Sequence, residues 1–233
     1  MPVDPYDYEA IGGNSILTGT VEGFVLAPYP YLAPCLNMPE ALGEGYQGPT
    51  LFSIDENGRT ANPRVYAAGD VAGNPMLAHK ATHEARALVA RLAGRAAHAL
   101  APVPAVVFTD PEIAWVGLTE TQAKEQGLEI KVSKFPWAAS GRALTLDRAD
   151  GVTKILADPG TGKLLGAAFA GPGAGDLVSE ASLALASGAS VADLARAIHP
   201  HPTLAETLGE AAELHEGLCA HLYRPPKTQA RLG

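Results

Sequence analysis

The sequence predicts an α/β chain in two parts, and two observations carry this prediction. An apolar run at 64–68 leads through Gly69-Asp70 into a long helical pattern, which is the order of a strand, a turn and a helix. Beyond residue 101 the pattern becomes α+β, with five strand-like runs and four helical ones. We expect the second part to contain a mixed or antiparallel sheet with helices on one side.

The first hundred residues contain few predicted elements. Residues 1–50 are expected to be irregular, apart from one or two strands within 16–27, because seven prolines interrupt them. A short strand at 51–54 precedes a turn at 55–58, where Asn and Gly tolerate positive φ. The helical pattern then extends from 76 to about 100, and the prolines at 102 and 104 mark the expected domain boundary.

The second part has clearer punctuation. Strands are predicted at 105–109, 112–117, 129–136, 151–157 and 163–170, and helices at 119–127, 174–188, 191–198 and 203–222. Three of the helices begin with a hydroxyl and an acceptor three residues later, which can satisfy orphan backbone N–H groups reciprocally. These predicted capping boxes are Thr119 with Gln122, Ser190 with Asp193 and Thr203 with Glu206.

Composition and charge exclude several classes of partner. The 233 residues carry a formal net charge of −8 and no basic tract, which argues against nucleic acid or an anionic membrane surface. No apolar run reaches the roughly 18 residues that span a bilayer, and the N-terminus does not resemble a signal peptide. Cys35 and Cys219 are too far apart for a local redox disulfide or a zinc motif. The expected location is the cytoplasm.

The run 199–206, His-Pro-His-Pro-Thr-Leu-Ala-Glu, is the strongest candidate for chemistry. Each His precedes a Pro, which favours extended backbone, and Pro202 suits the first turn of a helix. An imidazole held rigidly at the start of a helix suits a general base. A carboxylate one turn further on can hold one ring nitrogen. We therefore select His201 and Glu206 as the candidate catalytic pair.

Two other interpretations of this run stay open on the residues alone. Glu206 could serve only as the third-position member of a capping box. His199 and His201 could bind a metal ion, but no third ligand at a recognised spacing accompanies them. We predict no metal site.

Three segments of the second part occur in the order and at the spacing of a known domain. They are VVFTDPEIAWVGLTE at 106–120, GRA at 141–143 and HPTLAE at 201–206. Together they resemble the dimerisation domain of the pyridine nucleotide–disulfide oxidoreductases, the family that includes dihydrolipoamide dehydrogenase, mercuric reductase and glutathione reductase. The resemblance implies a dimerisation domain at 102–233 and a homodimer formed through residues 102–222.

Residues 62–73, NPRVYAAGDVAG, and 76–81, MLAHKA, resemble the family's second contact with FAD. Residues 51–101 would then be the C-terminal fragment of an FAD-binding domain, and 1–50 would include the end of a nicotinamide domain. By itself the Gly-Asp pair could be an ordinary turn. A glycine at a strand end and a helix N-terminus do, however, suit close approach of a ligand. The implied FAD-binding residues are Gly69, Asp70, Met76, Leu77, Ala78 and His79.

By the same resemblance, His201 would take a proton from a dithiol or stabilise a thiolate, and Glu206 would orient the ring. In the family this His reaches the redox disulfide of the other subunit. The first FAD glycine fingerprint, the Cys-x4-Cys redox pair and the NAD(P) fingerprint are missing from the sequence. The FAD site would thus be partial, the NAD(P) site absent from this chain, and the isolated chain inactive.

Two classes of function follow. The chain could be the C-terminal portion of an FAD-dependent NAD(P)H:disulfide oxidoreductase, with the nucleotide-binding half on a separate chain. Alternatively, it could be a degenerate or truncated paralogue that serves only as a dimerisation module. The chain contains Asp70 as well as His201 and Glu206. This favours the first class, because a pure dimerisation module does not need a flavin-contact residue. The His-Pro-His-Pro-Thr-Leu run and Ala-His-Lys-Ala at 78–81 most resemble the dihydrolipoamide dehydrogenase subgroup, and this resemblance implies a dihydrolipoyl substrate.

Overall fold

A computed structural model describes residues 52–97 and 100–222, together with the backbone of two short strands. These strands, β1 (Thr20–Val21) and β2 (Phe24–Val25), pair antiparallel with Thr20 opposite Val25. The remainder of the segment predicted to be irregular lies outside the described residues. The chain divides into two compact units, residues 1–100 and 101–233.

In the first unit the helix α1 (Ala78–Leu92) follows a loop instead of a strand. The strands predicted at 51–54 and 64–68 are wrong for the residues described: Phe52 and Tyr66 form only isolated bridges, the latter with Arg59. A strand persists only where a neighbouring strand pairs along its length. The chain at 69–72 forms a short 3₁₀ helix.

Helix α1 ends at Leu92, earlier than the sequence pattern predicted. Gly94 has a φ of +66° and its N–H donates to the carbonyl of Arg91. This left-handed residue terminates the helix, although apolar residues continue beyond it.

The second unit is built on a five-stranded sheet, in which every neighbouring pair is antiparallel. The strand order is β3-β4-β7-β6-β5. All five strands occur where the sequence predicts them, each slightly shorter than expected. Their bounds are β3 (Ala105–Val107), β4 (Ile113–Gly117), β5 (Lys131–Pro136), β6 (Val152–Ala157) and β7 (Leu164–Ala170).

Within residues 101–222 the sheet is accompanied by five α-helices: α2 (Glu120–Glu125), α3 (Gly141–Thr145), α4 (Ala174–Ser187), α5 (Val191–Arg196) and α6 (Glu206–Glu216). The last three contribute to one apolar core with one face of the sheet. On that face Phe135, Thr153 and Phe169 stand side by side on adjacent strands and are fully buried. On the other face Glu120 of α2 pairs with Lys154 at 2.8 Å and Lys134 at 3.7 Å.

Two of the three predicted capping boxes are confirmed, at Thr119 and at Ser190. The third forms only in part. Glu206 accepts the Thr203 N–H at 2.7 Å, but the Thr203 hydroxyl donates to the carbonyl of Pro200 and the helix begins at Glu206. Helix α6 is therefore shorter than the predicted 203–222, and it ends before Gly217, whose φ is +79°.

Helix α3 and the 3₁₀ turn Trp137–Ala139 were not predicted. Each is about one turn long, too short to show helical periodicity in the sequence. Ser140 caps α3 by accepting the Ala143 N–H.

Candidate active site

The structure brings His201 and Glu206 together at the start of α6. The Nδ1 atom of His201 lies 2.8 Å from Oε1 of Glu206, and the other carboxylate oxygen of Glu206 accepts the Thr203 N–H. The His201 side chain is 72% exposed, and the described residues make no hydrogen bond to its Nε2 atom. An ionised Glu206 selects the ring tautomer that carries hydrogen on Nδ1, so Nε2 is the nitrogen able to take a proton.

Glu206 keeps its negative charge in this position. Burial acts to raise its pKa, but the hydrogen bonds from the Thr203 N–H and the His201 ring outweigh burial, and the pKa of Glu206 lies below its ordinary value. The carboxylate also lies in the first turn of α6, where the helix dipole favours an anion. The interpretation of Glu206 as a cap and its interpretation as a partner of His201 are thus compatible, because each carboxylate oxygen has a different donor.

The neighbouring His199 has a different environment. Its Nε2 atom lies 2.9 Å from Oε1 of Glu180 on α4, and only 10% of its side chain is exposed. Its ring packs against Gly209 of α6, where an added Cβ would lie 2.9 Å from Nδ1. Within the described residues no group of three or more His, Cys, Asp or Glu side chains could hold a metal ion. His199 therefore braces the turn 199–206, which we call the histidine turn.

Sequence reasoning missed the partners that come from distant parts of the chain. Glu180, nineteen residues before His199, is one. Glu210 is another: it accepts hydrogen bonds from His221 and, at 3.1 Å, from the thiol of Cys219. No local pattern marks either glutamate. Burial and the nearby Glu210 raise the pKa of Cys219 to about 11, so this thiol is not an activated nucleophile. Cys35 lies outside the described residues.

In the first unit, a lysine and a glutamate of α1 hold the loop 69–73. Lys80 is 4% exposed, and its ammonium group donates to the carbonyls of Gly69 at 3.2 Å and Gly73 at 2.8 Å. Glu84 accepts the Gly69 N–H at 2.7 Å and pairs with Lys80 at 3.2 Å. We call this arrangement the carbonyl clamp. It fixes the backbone on both sides of Asp70.

Position 69 requires a glycine for two reasons, the backbone conformation there and the closeness of a neighbouring side chain. Its φ is +82°, and an added Cβ would lie 2.9 Å from the Cβ of Ala81. The predicted FAD-binding residues of this unit thus share one corner, where loop 69–73 meets the start of α1.

This corner fits a flavin. No side chain caps the start of α1, and Asp70, Met76, Ala78 and His79 are exposed there, with Leu77 partly buried. Uncapped backbone N–H groups at a helix start favour an electron-rich carbonyl, and an exposed carboxylate can accept hydrogen bonds from a polyol chain.

None of the described helices has the length and apolar character needed to cross a membrane.

Comparison with protein families agrees with this geometry. Residues 103–212 match the pyridine nucleotide-disulphide oxidoreductase dimerisation domain, and residues 47–85 match the pyridine nucleotide-disulphide oxidoreductase family. Among curated relatives, the chain is 45% identical over 169 residues to a dihydrolipoyl dehydrogenase of Haemophilus influenzae, which covers 72% of this chain and 35% of that protein. The Thermus scotoductus dihydrolipoyl dehydrogenase is 51% identical over 167 residues, covering 71% and 36%.

The human mitochondrial dihydrolipoyl dehydrogenase is 52% identical over 154 residues, covering 66% of this chain and 30% of that protein. The chain thus spans about a third of the length of these relatives.

Solved structures show the same relationship. LpdA from Mycobacterium tuberculosis superimposes with a TM-score of 0.70 at 28% identity, covering 76% of this chain and 39% of that one. The HOCl-induced flavoprotein disulfide reductase RclA from Escherichia coli gives 0.68 at 27% identity, covering 76% and 41%. Members of this family are FAD-dependent flavoproteins. The chain belongs to the pyridine nucleotide-disulphide oxidoreductase family and corresponds to the C-terminal part of its members.

Proposed function

We propose that this chain is the C-terminal portion of an FAD-dependent NAD(P)H:disulfide oxidoreductase that acts on a dihydrolipoyl group. The His201–Glu206 pair carries this proposal. An exposed imidazole is fixed through Nδ1 by a carboxylate that the backbone itself holds. A structural histidine does not need an outward ring nitrogen, whereas a general base does.

In the proposed reaction His201 accepts a proton from a thiol of the substrate at Nε2. Glu206 stabilises the resulting imidazolium, because its negatively charged carboxylate is hydrogen-bonded to the opposite ring nitrogen, Nδ1. In the reverse direction the imidazolium returns the proton to the leaving thiolate. Oxidation of the dithiol by NAD(P)⁺ gives a disulfide, NAD(P)H and one free proton, and FAD, when bound, would carry the two electrons from the thiols to the nicotinamide.

The first unit would contribute part of the flavin site. Gly69 and Asp70 would face the ribityl chain, and residues 76–79 would approach the flavin ring. The carbonyl clamp supports this proposal, because it holds the backbone of Asp70 in place without using the Asp70 side chain.

The dimerisation family match suggests a homodimer, and we propose that it forms through residues 102–222. We propose a domain division of 1–50, 51–101 and 102–233, with the second segment a fragment of an FAD-binding domain. We propose that the glycine fingerprints and the redox disulfide come from a separate chain, and that the assembled complex is located in the cytoplasm.

A visible spectrum tests the proposal. The chain is purified alone and together with the polypeptide region encoded beside it that carries the glycine fingerprints. We expect the assembled complex to be yellow, to contain FAD and to oxidise dihydrolipoamide. A colourless, stable dimer in both preparations would contradict the proposal and favour a dimerisation module.

The histidine is tested in the assembled complex. We expect His201→Gln to lower kcat by about 10²–10⁴-fold, the usual contribution of a general base, with flavin content unchanged. His221→Gln is the matched control, because it removes another exposed imidazole paired with a glutamate of α6. Equal turnover in the wild type and His201→Gln would remove His201 from the reaction.

A further inference from the structure

A line of buried hydrogen bonds runs through the core of the second unit to the histidine turn. The indole N–H of Trp137 donates to the Thr153 hydroxyl at 2.9 Å, which donates to the Thr207 hydroxyl at 2.8 Å. The Thr207 hydroxyl donates to the carbonyl of Leu204 at 2.7 Å. This buried polar line joins the turn after β5, the start of β6 and the first turn of α6.

The direction of the buried polar line is fixed by chemistry. An indole N–H can only donate and a backbone carbonyl can only accept, so each threonine between them must accept once and donate once. Trp137, Thr153 and Thr207 are all fully buried. Replacing one hydroxyl by a methyl group therefore leaves a buried group without its partner, while the side-chain volume barely changes.

Packing alone does not explain these hydroxyls. Thr153 lies between Phe135 and Phe169 on adjacent strands, next to the apolar core. A valine would fill the same space. Filling the core therefore does not require these hydroxyls. The residues at the two ends of the line indicate what the hydrogen bonds do.

The buried polar line begins at a side chain that is held in place and ends beside the candidate base. At one end, the Trp137 ring is held by two glycines: an added Cβ would lie 2.3 Å from the ring at Gly151 and 2.2 Å at Gly171. The indole cannot shift without disturbing the sheet. At the other end, the Leu204 carbonyl also accepts the Thr207 N–H at 3.1 Å, and Leu204 lies between Thr203 and Glu206, the two residues whose hydrogen bond fixes the base.

We propose that Trp137, Thr153 and Thr207 are positioning residues for His201. Their hydrogen bonds connect the carbonyl of Leu204 to the sheet. This connection holds the Thr203 N–H and the Glu206 carboxylate at hydrogen-bond distance, so that the carboxylate can orient the imidazole. The role of His201 as a base rests on the function proposed above. The positioning itself is a property of the chain and can be measured without turnover.

The test compares Thr153→Val and Thr207→Val with Thr153→Ser and Thr207→Ser. Nitrogen-15 NMR of the full chain reports the fraction of His201 with hydrogen on Nδ1 at a pH where the ring is neutral. We expect this fraction to fall in both valine variants and to return to the wild-type level in both serine variants. Trp137→Phe, which removes the donor at the far end, should act in the same direction.

Ser133→Ala is the matched control. Ser133 is a buried hydroxyl on the adjacent strand, but its partner is His215 at the other end of α6, at 3.4 Å. We expect it to leave the His201 tautomer unchanged. A general loss of core stability would affect all the variants, whereas positioning affects only those in the buried polar line.

In the assembled enzyme the valine variants should lower kcat about tenfold with KM changed less than about twofold, since a misplaced base affects the chemical step more than binding. A wild-type tautomer fraction in both valine variants would overturn the proposal, as would serine variants that behave like valine. If the assembled wild type shows no dithiol oxidation, the proposed function fails, while the NMR result still decides the positioning.

Discussion

The histidine turn in the second unit and the loop 69–73 in the first are both held by a glutamate of the adjoining helix. Glu206 accepts the Thr203 N–H and Glu84 accepts the Gly69 N–H, both at 2.7 Å. What supports the two glutamates differs. Behind Glu206 lies a five-stranded sheet with a continuous apolar core, whereas Glu84 is paired with Lys80, a buried cation.

This difference indicates how each region would fail. A loop held by a few charged groups depends on every one of them, because a buried charge that loses its partner is costly. A turn seated on a packed core loses stability in smaller steps, each set by one contact. Substitutions in the two regions should therefore differ in how much stability they remove.

Removing the cation of the carbonyl clamp should have the largest effect. Lys80→Met leaves the Gly69 and Gly73 carbonyls and Glu84 without their buried partner, and we expect a loss of about 3 kcal/mol in the first unit. Hydrogen exchange measured by mass spectrometry would show faster exchange at 69–73 and no change at 199–216.

Arg86→Met is the control for this change, since it removes an exposed cation from the same helix. Equal exchange at 69–73 in Lys80→Met and Arg86→Met would show that the clamp does not stabilise the loop.

Filling the space beside His199 should have a smaller effect in the second unit. Gly209→Ala favours the helix by up to about 1 kcal/mol, but its Cβ would lie 2.9 Å from the His199 ring, which is nearly buried. We expect a net loss of about 1–2 kcal/mol in denaturant unfolding of the second unit. Gly141→Ala, where an added Cβ meets open space, should not destabilise; an equal loss there would refute the explanation.

Alanine substitutions at Ser190 and Thr203 compare the stability that two kinds of helix start contribute in the second unit. Ser190→Ala removes a complete capping box and should cost about 1 kcal/mol. Thr203→Ala should cost less, because its hydroxyl does not cap α6 and its N–H stays bonded to Glu206. Denaturant midpoints of the two variants provide the comparison. A greater loss in Thr203→Ala would mean that the contact with the Pro200 carbonyl outweighs the box.

The pH dependence of stability should show the smallest effect. The pKa of Glu206 is lowered on folding, so its contribution is present above the ordinary glutamate pKa of about 4.3 and is lost as pH falls through the lowered value. As pH falls from the ordinary glutamate pKa to the lowered pKa of Glu206, the wild type should lose stability more steeply than Glu206→Gln. Melting curves between neutral and acidic pH measure this, and parallel curves for the two proteins would contradict it.

Local patterns were sufficient for most of the second unit. The boxes at Thr119 and Ser190 depend on residues three positions apart, so the sequence displays them directly. The five predicted strands each have a partner in the sheet, so their apolar runs were a sufficient guide. The first unit was less predictable. The strands expected at 51–54 and 64–68 depend on a partner strand, and no stretch of five residues records whether that partner is there.

The same distinction applies to the candidate site. The residues at 201 and 206, the helix that follows them and the family of the chain could all be read from the sequence alone. Three features became visible only in the folded chain: Thr203 does not cap α6, His199 pairs with Glu180, and a polar line from Trp137 ends at Leu204. A cap or a helical face is set by neighbours three or four residues apart, whereas these contacts join groups that are brought within hydrogen-bond distance by the packing of the sheet and helices.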